Sequence, residues 1–194
     1  MAHELSSETR FALAVGAIFP DATRQFDVRL ADGDWRAALE LVRKPHRLEM
    51  LEQWWREQRV SVEDLRLLLP AAWDDAVPGS ELHWWPLFRD AGYCGEPLPD
   101  GDPVIGYRGG QPGDPVAMVW ALDHEKAARS ALRWPRAAAT SESGVSILAG
   151  EIVTAEVPCA KIVAHLTGPN GADVIAHPRS VRIVGRERVE RPLS

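Results

Sequence analysis

Cysteine is scarce in this chain: Cys94 and Cys159 are its only two, and their separation is not that of metal ligands. A disulfide framework and a zinc site are therefore not expected, and no metal is assigned. No apolar run approaches the ~20 residues of a membrane-spanning helix, so no membrane partner is expected. The first residues carry Glu4 and Glu8 where a signal peptide carries a basic segment, which makes the cytoplasm the expected location. Positive charge is also in deficit, with 22 Lys and Arg against 28 Asp and Glu, a net −6. That balance argues against attraction to nucleic acid driven by bulk charge, although a local basic groove is compatible with it. The glycine-rich Gly109-Gly110-Gln111-Pro112-Gly113 has neither the spacing of a phosphate loop nor a following lysine, so a nucleotide triphosphatase is not supported. No internal repeat is evident.

What is present is ordinary globular material. The chain has 194 residues, 45% of them hydrophobic, enough for one domain with or without a helical extension. Residues 1–92 read as helices. Ser6 and Ser7 are caps for a helix whose Phe11, Val15 and Ile18 recur at helical spacing, with Pro20 as its stop. A second helix is expected over Thr23 to Leu30, and Asp34 caps a third bearing Trp35, Ala38, Leu39 and Val42. Leu48, Leu51 and Trp55 share one face of a fourth. Ser61 and Asp64 form a weak capping box before Leu65, Leu68 and Leu69, and Pro70 closes that segment. Trp54, Trp55, Trp73, Trp84 and Trp85 crowd into this half. Neighbouring tryptophans on a helix cannot face the same core, so one of each pair belongs at a groove or interface. Packing is their plain role; a platform for a nucleobase or partner segment is the functional one.

Between Gly92 and Pro103 turn formers dominate, and the periodicity changes after them. Val104–Tyr107, Val116–Leu122, Val145–Leu148, Glu151–Val157, Lys161–Leu166, Asp173–Ala176 and Val181–Val184 are short, rich in Val and Ile, and bounded by Gly, Pro or Asn. One helix interrupts them, from Asp123 to about Arg133, and Pro135–Gly144 reads as a loop. The expected fold class is α+β: a helical region, residues 1–92, packed on a mostly antiparallel β-sandwich, residues 103–194.

Within the second half, Tyr107-Arg108-Gly109-Gly110 sets an arginine at the end of an apolar run among glycines that let a ligand approach the backbone. The next run, Val116 to Asp123, carries Trp120. By themselves these are a surface arginine and a core tryptophan. Together they are also suited to holding a phosphate and stacking a ring.

The order YRGG, short loop, V-W-A-L-D, then a helix with Ala127, Ala128 and Ala131 resembles a pattern in phage and bacterial proteins of the ADP-ribosyltransferase fold. The resemblance covers about Pro103 to Val184. It implies an NAD-dependent transferase, toxin-like, with NAD as substrate and a macromolecular acceptor, protein or nucleic acid. Arg108 matches the arginine that binds NAD phosphates or ribose, with Gly109 beside it, and Trp120 matches the aromatic of the nicotinamide pocket. Val119 and Ala121 stand where the pattern has serine and threonine. Gly171 and Asp173 stand at the two positions of a Glu-x-Glu pair, so Asp173 matches the carboxylate that stabilises the oxocarbenium-like transition state. Arg108 and Asp173 are thus the catalytic candidates. Nicotinamide leaves as a neutral molecule, so the chemistry asks for a fixed negative charge and a dry pocket rather than a general acid.

Outside the resemblance, Asp173 reads as a turn residue after Asn170-Gly171. His165 and His177 lie near the same strands and are expected to be satisfied structurally, while Glu151 and Glu156 are expected to be solvated. Two functions stay open: the transferase, favoured by Arg108 and Trp120, and a non-catalytic relative that binds a partner or nucleotide, favoured by Val119, Ala121, Gly171 and Asp173.

Overall fold

The structure is a computed structural model describing residues 5–73, 81–114, 117–133, 138–140, 146–168 and 171–192. The protein is α+β, and it divides into two compact units, Met1–Cys94 and Gly95–Ser194. The division falls within the turn-rich stretch that follows Gly92.

The first unit contains six α-helices: α1 (Ser7–Ala14), α2 (Thr23–Ala31), α3 (Trp35–Leu41), α4 (Arg47–Arg56), α5 (Val62–Trp73) and α6 (Glu81–Ala91). Their starts follow the capping residues. The Ser6 hydroxyl accepts the Thr9 N–H at 3.2 Å, Asp34 accepts that of Ala37 at 3.1 Å, and Ser61 that of Asp64 at 3.0 Å. The Asp64 carboxylate returns to the Ser61 N–H at 3.1 Å, closing the capping box. Two ends differ from expectation. Helix α1 stops at Ala14, well before Pro20, because Gly16 takes a left-handed φ of 70° and turns the chain out of the helix. Pro70 lies inside α5 instead of ending it. Burial of Leu65, Leu68, Leu69, Ala72 and Trp73 on that helix offsets the single backbone bond the proline removes.

Aromatic contacts hold this core. Trp54 lies 6.3 Å from Phe26 and 5.3 Å from Trp35, ring centre to ring centre, and Trp73 meets Trp84 at 5.4 Å and Phe88 at 5.3 Å. The paired tryptophans separate: Trp54 and Trp84 are buried, whereas Trp55 and Trp85 are half-buried.

The second unit is a sheet with one α-helix. Its strands are β1 (Cys94–Gly95), β2 (Val104–Gly110), β3 (Val119–Ala121), β4 (Ala138–Thr140), β5 (Ser146–Val157), β6 (Ile162–Gly168), β7 (Gly171–Ala176) and β8 (Arg182–Pro192); α7 is His124–Arg133. Hydrogen bonding joins them in the order β1-β6-β7-β3-β2-β5-β4, with β8 also paired to β5. Since β2 and β8 both pair with residues 151–156, they occupy opposite edges of β5. The pairs β2–β3, β2–β5, β3–β7, β4–β5, β5–β8 and β6–β7 are antiparallel. The antiparallel expectation is met in these pairs, but the strands form one sheet rather than the two separately bonded sheets expected of a sandwich.

Glycine explains one boundary in this unit that differs. Val145–Leu148 and Glu151–Val157 read as separate strands around Ala149-Gly150, yet β5 is continuous from Ser146 to Val157, Val145 lying outside the described residues. Gly150 seats the helix: a methyl group there would overlap the Ala131 carbonyl, and one at Gly109 would overlap that of Ala127. Ala127 and Ala131, fully buried at i and i+4, bring α7 down onto those two glycines with Ile152 beneath. The expected loop at 135–144 contains β4, and β8 extends far beyond the expected Val184.

Candidate functional site

Strand register decides which candidates meet. Residues paired across antiparallel strands project to the same face, and neighbours along a strand project to opposite faces. Tyr107 is opposite Ala121, and Ala121 is opposite Asp173. One row therefore crosses β2, β3 and β7 through Tyr107, Ala121 and Asp173, on the face covered by α7. The adjacent row carries Trp120 and Val174, with Arg108 one step along β2 from Tyr107, on the other face. Arg108 and Asp173 are thus separated by the sheet, and the structure does not bring the two catalytic candidates together.

On the far face Arg108 does share a cavity with Trp120, along with Gly110, Gln111, Asp114, Glu151 and Val153. Its volume is about 10 Å³, at the lower limit for a single water and far too small for a nucleotide. Trp120 is fully buried among Val104, Ala155, Val157, Ile162, Val174 and Ala176. It is a core residue with a buried indole N–H that has no partner among the described residues. Gly106 makes room for it, since a Cβ there would lie 2.7 Å from Trp120 Cβ. The plain reading of Trp120 as core holds, and the pocket-wall reading does not. Gly109 is likewise a helix seat rather than an opening for cofactor, because α7 occupies the space its missing side chain leaves.

Asp173 lies in β7 and not in a turn. Lys126, in the first turn of α7, places its Nζ 2.8 Å from the Asp173 carboxylate and 3.3 Å from the Gly171 carbonyl. These side chains are 18% and 20% exposed, so solvent reaches the pair only in part. Helix capping fixes where Lys126 starts from: Asp123 Oδ1 accepts the N–H groups of Glu125 at 2.7 Å and Lys126 at 3.3 Å. Beside them Tyr107 meets the His124 ring edge-on, centres 5.1 Å apart, and His124 Nε2 lies 3.0 Å from the Glu187 carboxylate. Tyr107, His124, Lys126 and Asp173 make a polar cluster where α7 begins. Of these, sequence reasoning named only Asp173 as a site residue. A lysine immediately before the Ala127/Ala131 stripe was the available signal, since that spacing sets it at the border of the buried face.

The remaining candidates are structural. His165 donates from Nδ1 to the Pro97 carbonyl at 2.6 Å, and His177 Nδ1 accepts the Arg179 N–H at 3.1 Å. Glu151 and Glu156 are ion-paired with Arg186 and Arg182 rather than simply solvated. Burial pushes the Cys94 thiol up to about 12, with Arg66 acting weakly in the other direction, so it is no thiolate nucleophile at neutral pH. Among the described residues there is no group of three or more His, Cys, Asp or Glu placed to hold a metal, and no helix is long and apolar enough to cross a membrane. No family model, curated protein or solved structure matches the chain.

Proposed function

We propose that the strand-rich unit is an NAD-dependent ADP-ribosyltransferase acting on a macromolecular acceptor, protein or nucleic acid, through the face that carries Asp173. The observation that supports it is the adjacency of β2, β3 and β7. In the resembling pattern the middle strand shapes the nicotinamide pocket and the late strand supplies a carboxylate, which requires those strands to be neighbours. Here they pair, with Asp173 directly opposite Ala121. In the reaction the bond from ribose C1′ to the nicotinamide nitrogen breaks, and its electron pair leaves with nicotinamide. Asp173 accepts a hydrogen bond from a ribose hydroxyl and offsets the positive charge at C1′. A nucleophilic atom of the acceptor then bonds to C1′ and gives up its proton. On this face the cation available to the NAD diphosphate is Lys126, and Arg108 takes no part.

The non-catalytic reading has its own support: Lys126 neutralises Asp173, and Val119 and Ala121 bring no hydroxyl groups. One experiment separates the two. Purified protein with labelled NAD and candidate acceptors should release nicotinamide and transfer label. Asp173→Asn should slow release by roughly a hundredfold with NAD binding nearly intact. Binding without release selects a non-catalytic nucleotide binder, and a calorimetric titration with no NAD binding removes the transferase and favours a protein that acts by binding a partner.

A further inference from the structure

The helical unit has a site of its own, independent of the NAD reading. Glu52, Trp55, Arg56, Gln58, Val60, Pro86 and Leu87 line a groove of about 560 Å³, roomy enough for a nucleobase with its sugar. Glu52, Trp55 and Arg56 fall at i, i+3 and i+4 of α4, so one helix face presents a carboxylate, an indole and a guanidinium side by side. Val60 and Leu87 are buried and form an apolar wall.

Three features set this groove apart from an accidental dent. The Trp55 indole N–H donates to the Asp90 carboxylate at 3.1 Å, which ties the edge of the ring back to α6. Unlike Trp35, Trp54, Trp73 and Trp84, Trp55 stacks on no other aromatic among the described residues. Gln58 follows the C-cap of α4 with a φ of 56°, the position where glycine is usual. A non-glycine residue held there is strained, and its side chain lines the groove. Among the described residues Glu52, Arg56 and the Gln58 side chain have no hydrogen-bond or ion-pair partner.

We infer that this groove binds a guanine base. Guanine alone among the bases offers a carboxylate two parallel N–H groups, at N1 and N2, while its neighbouring O6 and N7 accept both prongs of an arginine. Glu52 and Arg56, one turn apart, match those two adjoining edges, and Trp55 supplies a face for the ring. Adenine gives a carboxylate only one amino group. Among the described residues the groove contains a single cation, Arg56, so recognition rests on the base and not on phosphate.

The test is calorimetric titration of the full chain with guanosine monophosphate, with adenosine monophosphate as the competitor. Short single-stranded oligonucleotides containing guanine or only adenine form a second arm. The guanine nucleotide should bind at least about tenfold more tightly than the adenine one. Glu52→Gln and Arg56→Met should each reduce guanine affinity by about tenfold to a hundredfold. Both sites are on the surface, so thermal midpoints should stay unchanged. Trp55→Leu should abolish binding; if that variant does not fold, the other two carry the test. Binding of guanosine monophosphate identifies a free nucleotide as sufficient, whereas binding of the guanine oligonucleotide alone identifies single-stranded nucleic acid. Equal binding of adenine and guanine, no binding of either, or guanine binding that survives both Glu52→Gln and Arg56→Met would overturn the inference.

Discussion

The two units bury their largest side chains by different physics. In the helical unit Trp54 sits between Phe26 and Trp35, and Trp73 between Trp84 and Phe88, so each ring is held by other rings on other helices. In the strand-rich unit Trp120 is surrounded by aliphatic residues, in space left by Gly106, and strand register fixes its position. Both arrangements leave a buried indole N–H unpaired among the described residues, at Trp54 and at Trp120. The helical core is thus built from what its side chains add, and the sheet from what its glycines omit. Removing atoms should damage the first most, and adding them the second.

The largest effect is expected from Trp54→Ala, which empties the centre of the first aromatic cluster. A loss of about 3–5 kcal/mol is the usual range for such a truncation, and urea unfolding would measure it. A loss below 1 kcal/mol would mean that Phe26 and Trp35 collapse into the gap, and that interlocked rings do not organise this unit.

Gly109→Ala is the matching change in the sheet, and it adds a single methyl group. That methyl would meet the Ala127 carbonyl, so α7 has to lift from the sheet. The expected cost is about 1–3 kcal/mol, the range for overpacking. Gly113→Ala is the control: nothing lies within 4 Å of its absent Cβ, although its φ of 84° carries a backbone strain of its own. If Gly109→Ala is neutral, the helix seat has slack and register alone holds the unit.

The same contrast explains what could be read from the chain. Helix starts were legible, because Ser6, Asp34 and Ser61 act on N–H groups three residues away. Strand existence was legible from the Val/Ile runs, and the α+β class with it. Gly150 was misleading: a glycine ends a strand or seats a helix, and the choice depends on Ala131, which approaches from a distant stretch of chain. The site suffered for the same reason. Arg108 and Trp120 are opposite-strand neighbours as their motif suggests, but the sheet face each residue takes depends on register, which the motif does not encode. Lys126 was missed because its partner Asp173 is brought near only when β7 pairs with β3.

The smallest effect is expected at an ion pair, and here the units differ again. Each has a contact at 2.8 Å: Arg59 with Glu8 in the helical unit, Lys126 with Asp173 in the other. Glu8 is only 3% exposed, so Arg59→Met leaves a carboxylate buried with the Ser7 hydroxyl as its remaining partner among the described residues. A cost of about 1–3 kcal/mol follows. Lys126 and Asp173 both keep some water, and Lys126→Met should cost less than about 1 kcal/mol. A weak pair is what the proposed function needs, because a lysine that meets a diphosphate must leave its carboxylate at little expense. Lys126→Met should therefore weaken NAD binding by about tenfold or more while the unfolding midpoint scarcely moves, since a contact to a charged group is worth roughly 1.5–3 kcal/mol. If stability falls by several kcal/mol and NAD affinity is unchanged, Lys126 is a fastener between α7 and β7. Asp173 is then held for the fold and not for chemistry.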